Sequence, residues 1–281
     1  MSISQQLEKI LYQPVRALAR LSGGCVADVF RGKLADGKQI VVKSGPAGDL
    51  ALEGRMLRYL KQHTTLPIPA VYHSDRELLI IDYLPSSGGL NTQSQEHAAD
   101  LVATLHNITA PQFGFDFDTV IGGLHQPNPP SPNWVAFFSQ HRLLHMAHEA
   151  YKIKKLPLTA VTKIEKFAAT LPNRLMEPCS PSLIHGDLWG GNILCSNNKI
   201  SGVIDPAIYY ANAEIELAFT TLFSTFDQTF FRRYQEHRPI APGFFEERLD
   251  IYNLYPLLVH VRLFGGHYVS QVERTLQRFG F

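Results

Sequence analysis

The spacing of apolar residues changes partway along this 281-residue chain. Ile3, Leu7, Ile10 and Leu11 fall on one face of a short helix over residues 3–12. After it the period shortens to two. Strands are predicted at 15–21, in a run ending at Phe30, at 39–43, near Val71 and Tyr72, and at 78–81. One helix interrupts them, over residues 49–62 with Leu50, Leu57 and Leu60 at helical spacing. Leu66-Pro67-Ile68-Pro69 breaks the chain before the later strands. Beyond the segment Pro-Ser-Ser-Gly-Gly (85–89) the pattern is mainly helical. Thr92 and Gln95 suit a capping box, and Leu101, Val102, Leu105 and Ile108 keep the spacing of the helix that follows. Residues 110–133 read as a long Pro/Gly/Asn-rich loop. Ser131-Pro132 reads as the N-cap and first turn of a helix carrying Trp134, Phe137, Phe138 and Arg142. Further helices are predicted at 158–170, 214–225 and 228–235, and an amphipathic stretch at 244–279. The expected architecture is α+β: a β-rich lobe (1–84), a hinge, and a mainly helical lobe (85–281).

Composition narrows the class. A 45% hydrophobic content is ample for a packed core. With 26 Lys plus Arg against 25 Asp plus Glu, no net field favours nucleic acid or an anionic membrane, and neither is expected as a partner. The start MSISQQLEKI lacks the apolar stretch of a signal peptide, and apolar runs such as 255–264 are interrupted by His260 and Arg262. Cys25, Cys179 and Cys195 are far apart, odd in number and without metal-ligand spacing. A reduced, cytoplasmic protein is expected.

Candidate chemistry concentrates in His185–Ala207, HGDLWGGNILCSNNKISGVIDPA. Asp187 follows His-Gly, Asn192 comes five residues later, and Asp205 ends the apolar run that follows a polar turn. The segment reads as a catalytic loop entering a β-hairpin. In phosphoryl transfer an Asp accepts the proton of the attacking hydroxyl, while an Asn and a second Asp hold Mg²⁺ on the nucleotide phosphates. Lys43 ends a β-branched strand, from which a lysine reaches phosphates, and Glu53 on the next helix can turn back to orient it. The Gly23-Gly24 pair lets backbone approach phosphate. At the hinge, the main chain of Asp82 and Leu84 is placed to hydrogen-bond adenine.

Together these residues resemble the fructosamine kinase (ketosamine-3-kinase) family, a branch of the aminoglycoside phosphotransferase and choline kinase group. The marks are Gly23-Gly24-Cys25, Phe113-Gly114, Gln126-Pro127-Asn128, Asn133-Trp134, His141-Arg142-Leu143, HGDLWGGN (185–192), Ile204-Asp205-Pro206-Ala207, Glu214-Ile215-Glu216-Leu217-Ala218 and Tyr252-Asn253-Leu254-Tyr255. Trp189, two residues after Asp187, separates this family from generic small-molecule kinases.

The resemblance implies a protein-kinase-like fold, ATP as donor, Mg²⁺, and a ketosamine phosphorylated at its sugar O3 hydroxyl, free or protein-bound, with deglycation as the outcome. It implies Asp187 as base, Asn192 and Asp205 as metal ligands, Lys43 with Glu53 as phosphate clamp, and Asp82, Tyr83 and Leu84 as the adenine segment. An indole face packs well on the C–H side of a sugar, which makes Trp189 the expected acceptor platform. Arg142 and His185 are expected to hold the loop in shape. The chain departs from the family pattern at Ala27, where a small polar residue is usual. Cys25, in its glycine-rich turn, is a candidate redox site whose oxidation blocks nucleotide binding. Two alternatives share part of this pattern: another small-molecule kinase, for an aminoglycoside, choline or a sugar, and a catalytically dead kinase-like binding module.

Overall fold

The computed structural model describes residues 2–21, 27–45 and 49–281. Gly23, Gly24 and Cys25 lie outside the described residues, and so do the expectations placed on them. The first helix, α1 (Ile3–Leu11), is capped by Ser2 and Gln5, each side chain bonded to the other's backbone amide. Strands β1 (Val15–Arg20), β2 (Asp28–Leu34) and β3 (Gln39–Ser44) follow, then α2 (Leu50–His63), capped by Asp49. Strands β4 (Val71–Ser74) and β5 (Leu78–Asp82) complete a five-stranded antiparallel sheet of order β1-β2-β3-β5-β4.

The two faces of this sheet bury different things. Ile40, Val42, Leu78 and Ile80 point to one side, and α1 seals them with Leu7. Leu79 and Ile81, alternating with them, join α2 and the large core of the second half.

That half begins with α3 (Thr92–His106). Its capping box starts one residue earlier than the sequence reading placed it: Asn91 and Ser94 exchange side-chain-to-amide bonds. Gln95 is freed for a reciprocal pair with Asp227, whose amide and carboxylate it binds at 2.9 Å each. The 110–133 segment carries a small hairpin, β6 (Thr119–Ile121) and β7 (Leu124–Gln126), which two- to three-residue apolar runs hid. The next helix, α4 (Trp134–Phe138), starts later than Ser131-Pro132 suggested. Ser131 closes a local turn on Asn133, and the free amides of Trp134 and Val135 donate to the Glu177 carboxylate at 2.6 and 3.0 Å. A cap supplied from 43 residues downstream leaves no local signature.

A π-helical turn (Ser139–Leu144) joins α4 to α5 (His145–Lys152), and α6 (Leu158–Ala168) follows. Short strands then frame the catalytic loop: β8 (Ser182–Ile184) before it, the hairpin β9 (Ile193–Ser196) and β10 (Lys199–Val203) after it, and β11 (Tyr209–Ala211) pairing back onto β8. Helix α7 (Glu214–Leu222) ends three residues before the predicted end, because Ser224 takes a left-handed backbone, φ +52°. Helix α8 (Gln228–His237) packs on α3. The closing amphipathic stretch is broken: a π-helical turn (Phe244–Arg248), α9 (Leu249–Phe264) and α10 (His267–Arg278) separate at Gly265-Gly266, both at positive φ. No helix among the described residues is long and apolar enough to cross a membrane.

Candidate active site

The loop from His185 to Asn192 is shaped by what surrounds it. Gly186 has φ +83°, and a Cβ there would collide with the Ala207 carbonyl, so only glycine fits. The Ala207 amide donates to the His185 carbonyl at 2.8 Å, which ties the loop to the chain just past Asp205. From the other side, Glu216 accepts the Gly186 amide at 2.7 Å and meets His106 at 2.9 Å, and His106 meets the Tyr234 hydroxyl at 2.8 Å. All three side chains are buried. This support was invisible as chemistry in the sequence; its only local signal is a charged residue amid the apolar Ile215-Glu216-Leu217-Ala218.

Asn192 closes the loop. Its Nδ2 donates to the Asp187 carbonyl at 2.8 Å and to the Asp187 carboxylate at 2.9 Å. Its carbonyl accepts the Ile204 amide at 3.1 Å, which brings the residue before Asp205 alongside. Asp205 has φ +55°, a turn that swings its carboxylate out of the hairpin toward the sheet. There it meets Lys43, which also binds Glu53 at 2.8 Å. Burial works against the Lys43 ammonium, but the Glu53 and Asp205 carboxylates outweigh it and hold its pKa above the ordinary lysine value. Asp187 is pushed up to about 7, first by burial and then by the charge of Asp205, against the Asn192 hydrogen bond that favours its ionised form. Burial lowers His185, so it is neutral at pH 7.

Arg142 lies behind the loop, fully buried. It donates to the Pro127 carbonyl at 2.7 Å and to Asn128, with its guanidinium 3.8 Å from the Tyr209 ring centre. Gln126 donates to the Ala207 carbonyl at 3.0 Å and accepts from the Tyr255 hydroxyl at 2.6 Å. Gln126-Pro127-Asn128 thus braces the segment that follows Asp205.

At the hinge, the Asp82 amide donates to Ala70 and the Tyr83 amide to Gln39. The Asp82 carboxylate takes the Ala70 amide and the Tyr72 hydroxyl. The Asp82 N–H is therefore engaged within the protein. The Leu84 side chain packs against Gly202, where a Cβ would lie 2.5 Å from Leu84 Cδ1.

The two tryptophans have different fates. Trp134 is fully buried, with its indole N–H donating to the Tyr252 hydroxyl at 3.0 Å, and belongs to the core. Trp189 is 37% exposed beside the catalytic loop, with its ring against Phe223 at 5.6 Å. Thr225, two residues beyond Phe223, accepts the Gly190 amide at 2.9 Å.

A lysine on a β-sheet, paired with a glutamate of the following helix and facing an Asp–Asn loop and a second Asp, is the arrangement of protein-kinase-like phosphotransferases. A solved aminoglycoside phosphotransferase, a thermostable mutant in ternary complex with ADP and hygromycin B, has the same fold: TM-score 0.71 over 100% of both chains, at 16% identity. A fructosamine-3-kinase homologue from Thermobifida fusca lies nearer, with TM-score 0.86, 29% identity and 99% of each chain covered. A Vibrio parahaemolyticus protein named "Probable ketoamine kinase" is 33% identical over 99% of this chain and 98% of its own length. The Arabidopsis thaliana chloroplastic protein-ribulosamine 3-kinase is 29% identical over 94% and 83%. The fructosamine kinase family model matches residues 1–279. The chain belongs to the fructosamine kinase family and is a phosphotransferase.

Proposed function

We propose that the protein transfers the γ-phosphoryl group of ATP to the O3 hydroxyl of a ketosamine, with residues 1–84 holding nucleotide and residues 85–281 holding the catalytic loop and acceptor. One observation carries this reading: Asp187, Asn192, Asp205 and the Lys43–Glu53 pair converge, with an exposed Trp189 two residues from Asp187.

The donor set fits Mg²⁺. Because Nδ2 of Asn192 is spent on Asp187, its amide oxygen is left to act beside the Asp205 carboxylate, and hard oxygen donors are what this ion takes. Bound there, Mg²⁺ would neutralise charge on the phosphates. Lys43, oriented by Glu53, binds the phosphates of the nucleotide. The Leu84 side chain, packed on Gly202, offers an apolar wall for adenine. Asp187, as carboxylate, accepts the proton of the attacking O3 hydroxyl, and a pKa near neutrality suits that task. Trp189 offers its face to the sugar ring. The 3-phosphate then makes the sugar–amine adduct labile.

ADP release with Mg²⁺-ATP, measured over fructosyl-lysine, ribulosyl-lysine, erythrulosyl-lysine, an aminoglycoside and choline, tests the reading. The expected result is turnover confined to the ketosamines and largely lost in Trp189→Ala. Turnover on the aminoglycoside or choline alone would overturn it.

A further inference from the structure

The aromatic surface beside the catalytic loop continues well past Trp189. Its ring meets Phe223 at 5.6 Å, and Phe223 meets His260 at 5.0 Å. His260 in turn packs against Phe264 at 5.8 Å and Tyr268 at 4.9 Å. The five residues come from the catalytic loop, the end of α7, α9 and α10, so no single helix explains the stripe. At its two ends it is open: Trp189 is 37% exposed and Phe264 52%. A sugar ring needs one such platform. The remaining rings extend the surface from Trp189 through Phe223 and α9 to α10.

The arc is held in place. Phe223 packs edge-on to the buried Phe219 at 6.1 Å, and the left-handed Ser224 turns the chain so that Thr225 can hold the Gly190 amide. His260 faces the Pro256 carbonyl through Nδ1 at 2.7 Å. A carbonyl only accepts, so Nδ1 carries the proton and Nε2 is an unprotonated acceptor. Burial, with a smaller contribution from His267, lowers the His260 pKa against the pull of the Pro256 carbonyl, and the ring is neutral at pH 7. Among the described residues the arc thus presents π-faces and one lone pair at its centre. A cation flanked by rings of this kind is attracted by their quadrupoles.

We propose that Trp189, Phe223 and His260 form the subsite for the protonated amine of the acceptor, and that Phe264 and Tyr268 receive the substituent on that amine. This rests on the ketosamine reading: in a ketosamine the amine is one carbon from the carbonyl carbon of the sugar, and at neutral pH it carries a proton. The subsite would make the enzyme selective for cationic sugar–amine conjugates over neutral sugars, and for amines with an apolar or extended substituent over small ones.

The test compares two ligands in equilibrium binding, by calorimetry, so that turnover is not needed. One is a fructose carrying an N-linked hexyl amine at C1; the other is the matching C1 hexyl ether, similar in shape but uncharged. The parent is expected to favour the amine roughly tenfold, within the range of a partly desolvated cation–π contact. Phe223→Leu keeps the packing on Phe219 and removes the ring, and should reduce that preference to about twofold or less. Phe264→Ala should weaken the hexyl ligands but not their methyl counterparts. Equal affinity for amine and ether in the parent, a preference unchanged in Phe223→Leu, or no binding of either ligand would overturn the subsite. Amine preference with no phosphate transfer to any ketosamine would sustain the subsite while removing the ketosamine O3 reading.

Discussion

Asp187 occupies a position where ionisation is costly. An unfolded aspartate titrates near ~3.9, whereas here the carboxyl is pushed up to about 7 by burial and by Asp205. The folded state therefore binds this proton more tightly than the unfolded one. Its stabilising effect is complete below the unfolded pKa and is lost as pH rises through the folded one. The loss amounts to at most ~4 kcal/mol above neutrality. Asp187→Asn, which mimics the protonated form, should melt at a higher temperature than the parent near pH 8 without ligands, and the gap should close as the pH falls toward 4. The same substitution should cut turnover by roughly 10²–10⁴-fold with little change in nucleotide affinity, as loss of a general base does. A melting curve and a rate measurement on one variant check both. Asp205→Ala should act differently, raising the KM for Mg²⁺-ATP, because its carboxylate faces Lys43, the proposed phosphate ligand.

At the scale of elements, α4 shows what a distant cap contributes. Two free amides, those of Trp134 and Val135, rest on one carboxylate, Glu177. A charged group at a helix N-terminus is worth about 1 kcal/mol, somewhat more when partly buried. Glu177→Gln should lower the melting temperature by about 2–4 °C, with activity near the parental level, since α4 supplies core rather than cleft. The comparison with Glu177→Asp, which keeps the charge on a shorter arm, separates charge from geometry. This cap also shows where reading the chain by itself stops. The strands of the sheet and helices α1, α2 and α3 were legible because their apolar period and breakers are local. The start of α4 and the end of α7 were not, because Glu177 and the Ser224 turn act from outside the periodic segment. The hairpin β6–β7 was too short for any periodicity to register.

Across the whole molecule, Lys43 ties the sheet to the catalytic half through Asp205, 162 residues away. The Val203 amide on Pro67 fastens the same two halves, and within the second half the segment after the hinge is held to the β9–β10 hairpin by the Ser201 hydroxyl on Pro85 and the Ser87 and Gly88 amides on Cys195. Removing Lys43 leaves two carboxylates facing each other without their counter-charge, a defect that costs a few kcal/mol, about 3–5 when the pair is fully buried. Lys43→Met should lower the melting temperature, and adding Glu53→Gln should restore part of it, whereas nucleotide binding should stay impaired in both. The motif residues of this cleft were legible from order and spacing alone. What spacing could not supply was the scaffold around them. Arg142 was expected to hold the loop, but the buried Glu216–His106–Tyr234 chain joins segments more than a hundred residues apart, and only the folded chain brings it to the loop.

The five-residue corner between α7 and α8 has a consequence for redesign. The Thr225 hydroxyl in it holds the Gly190 amide, while the Phe223 ring belongs to the aromatic arc. With the proposed amine subsite, acceptor preference should be adjustable by side-chain exchange at positions 223 and 260 with the proposed reacting groups left where they are. An insertion in the same corner would move the catalytic loop itself. Libraries aimed at new sugar–amine conjugates should vary these side chains and leave the length of the corner untouched.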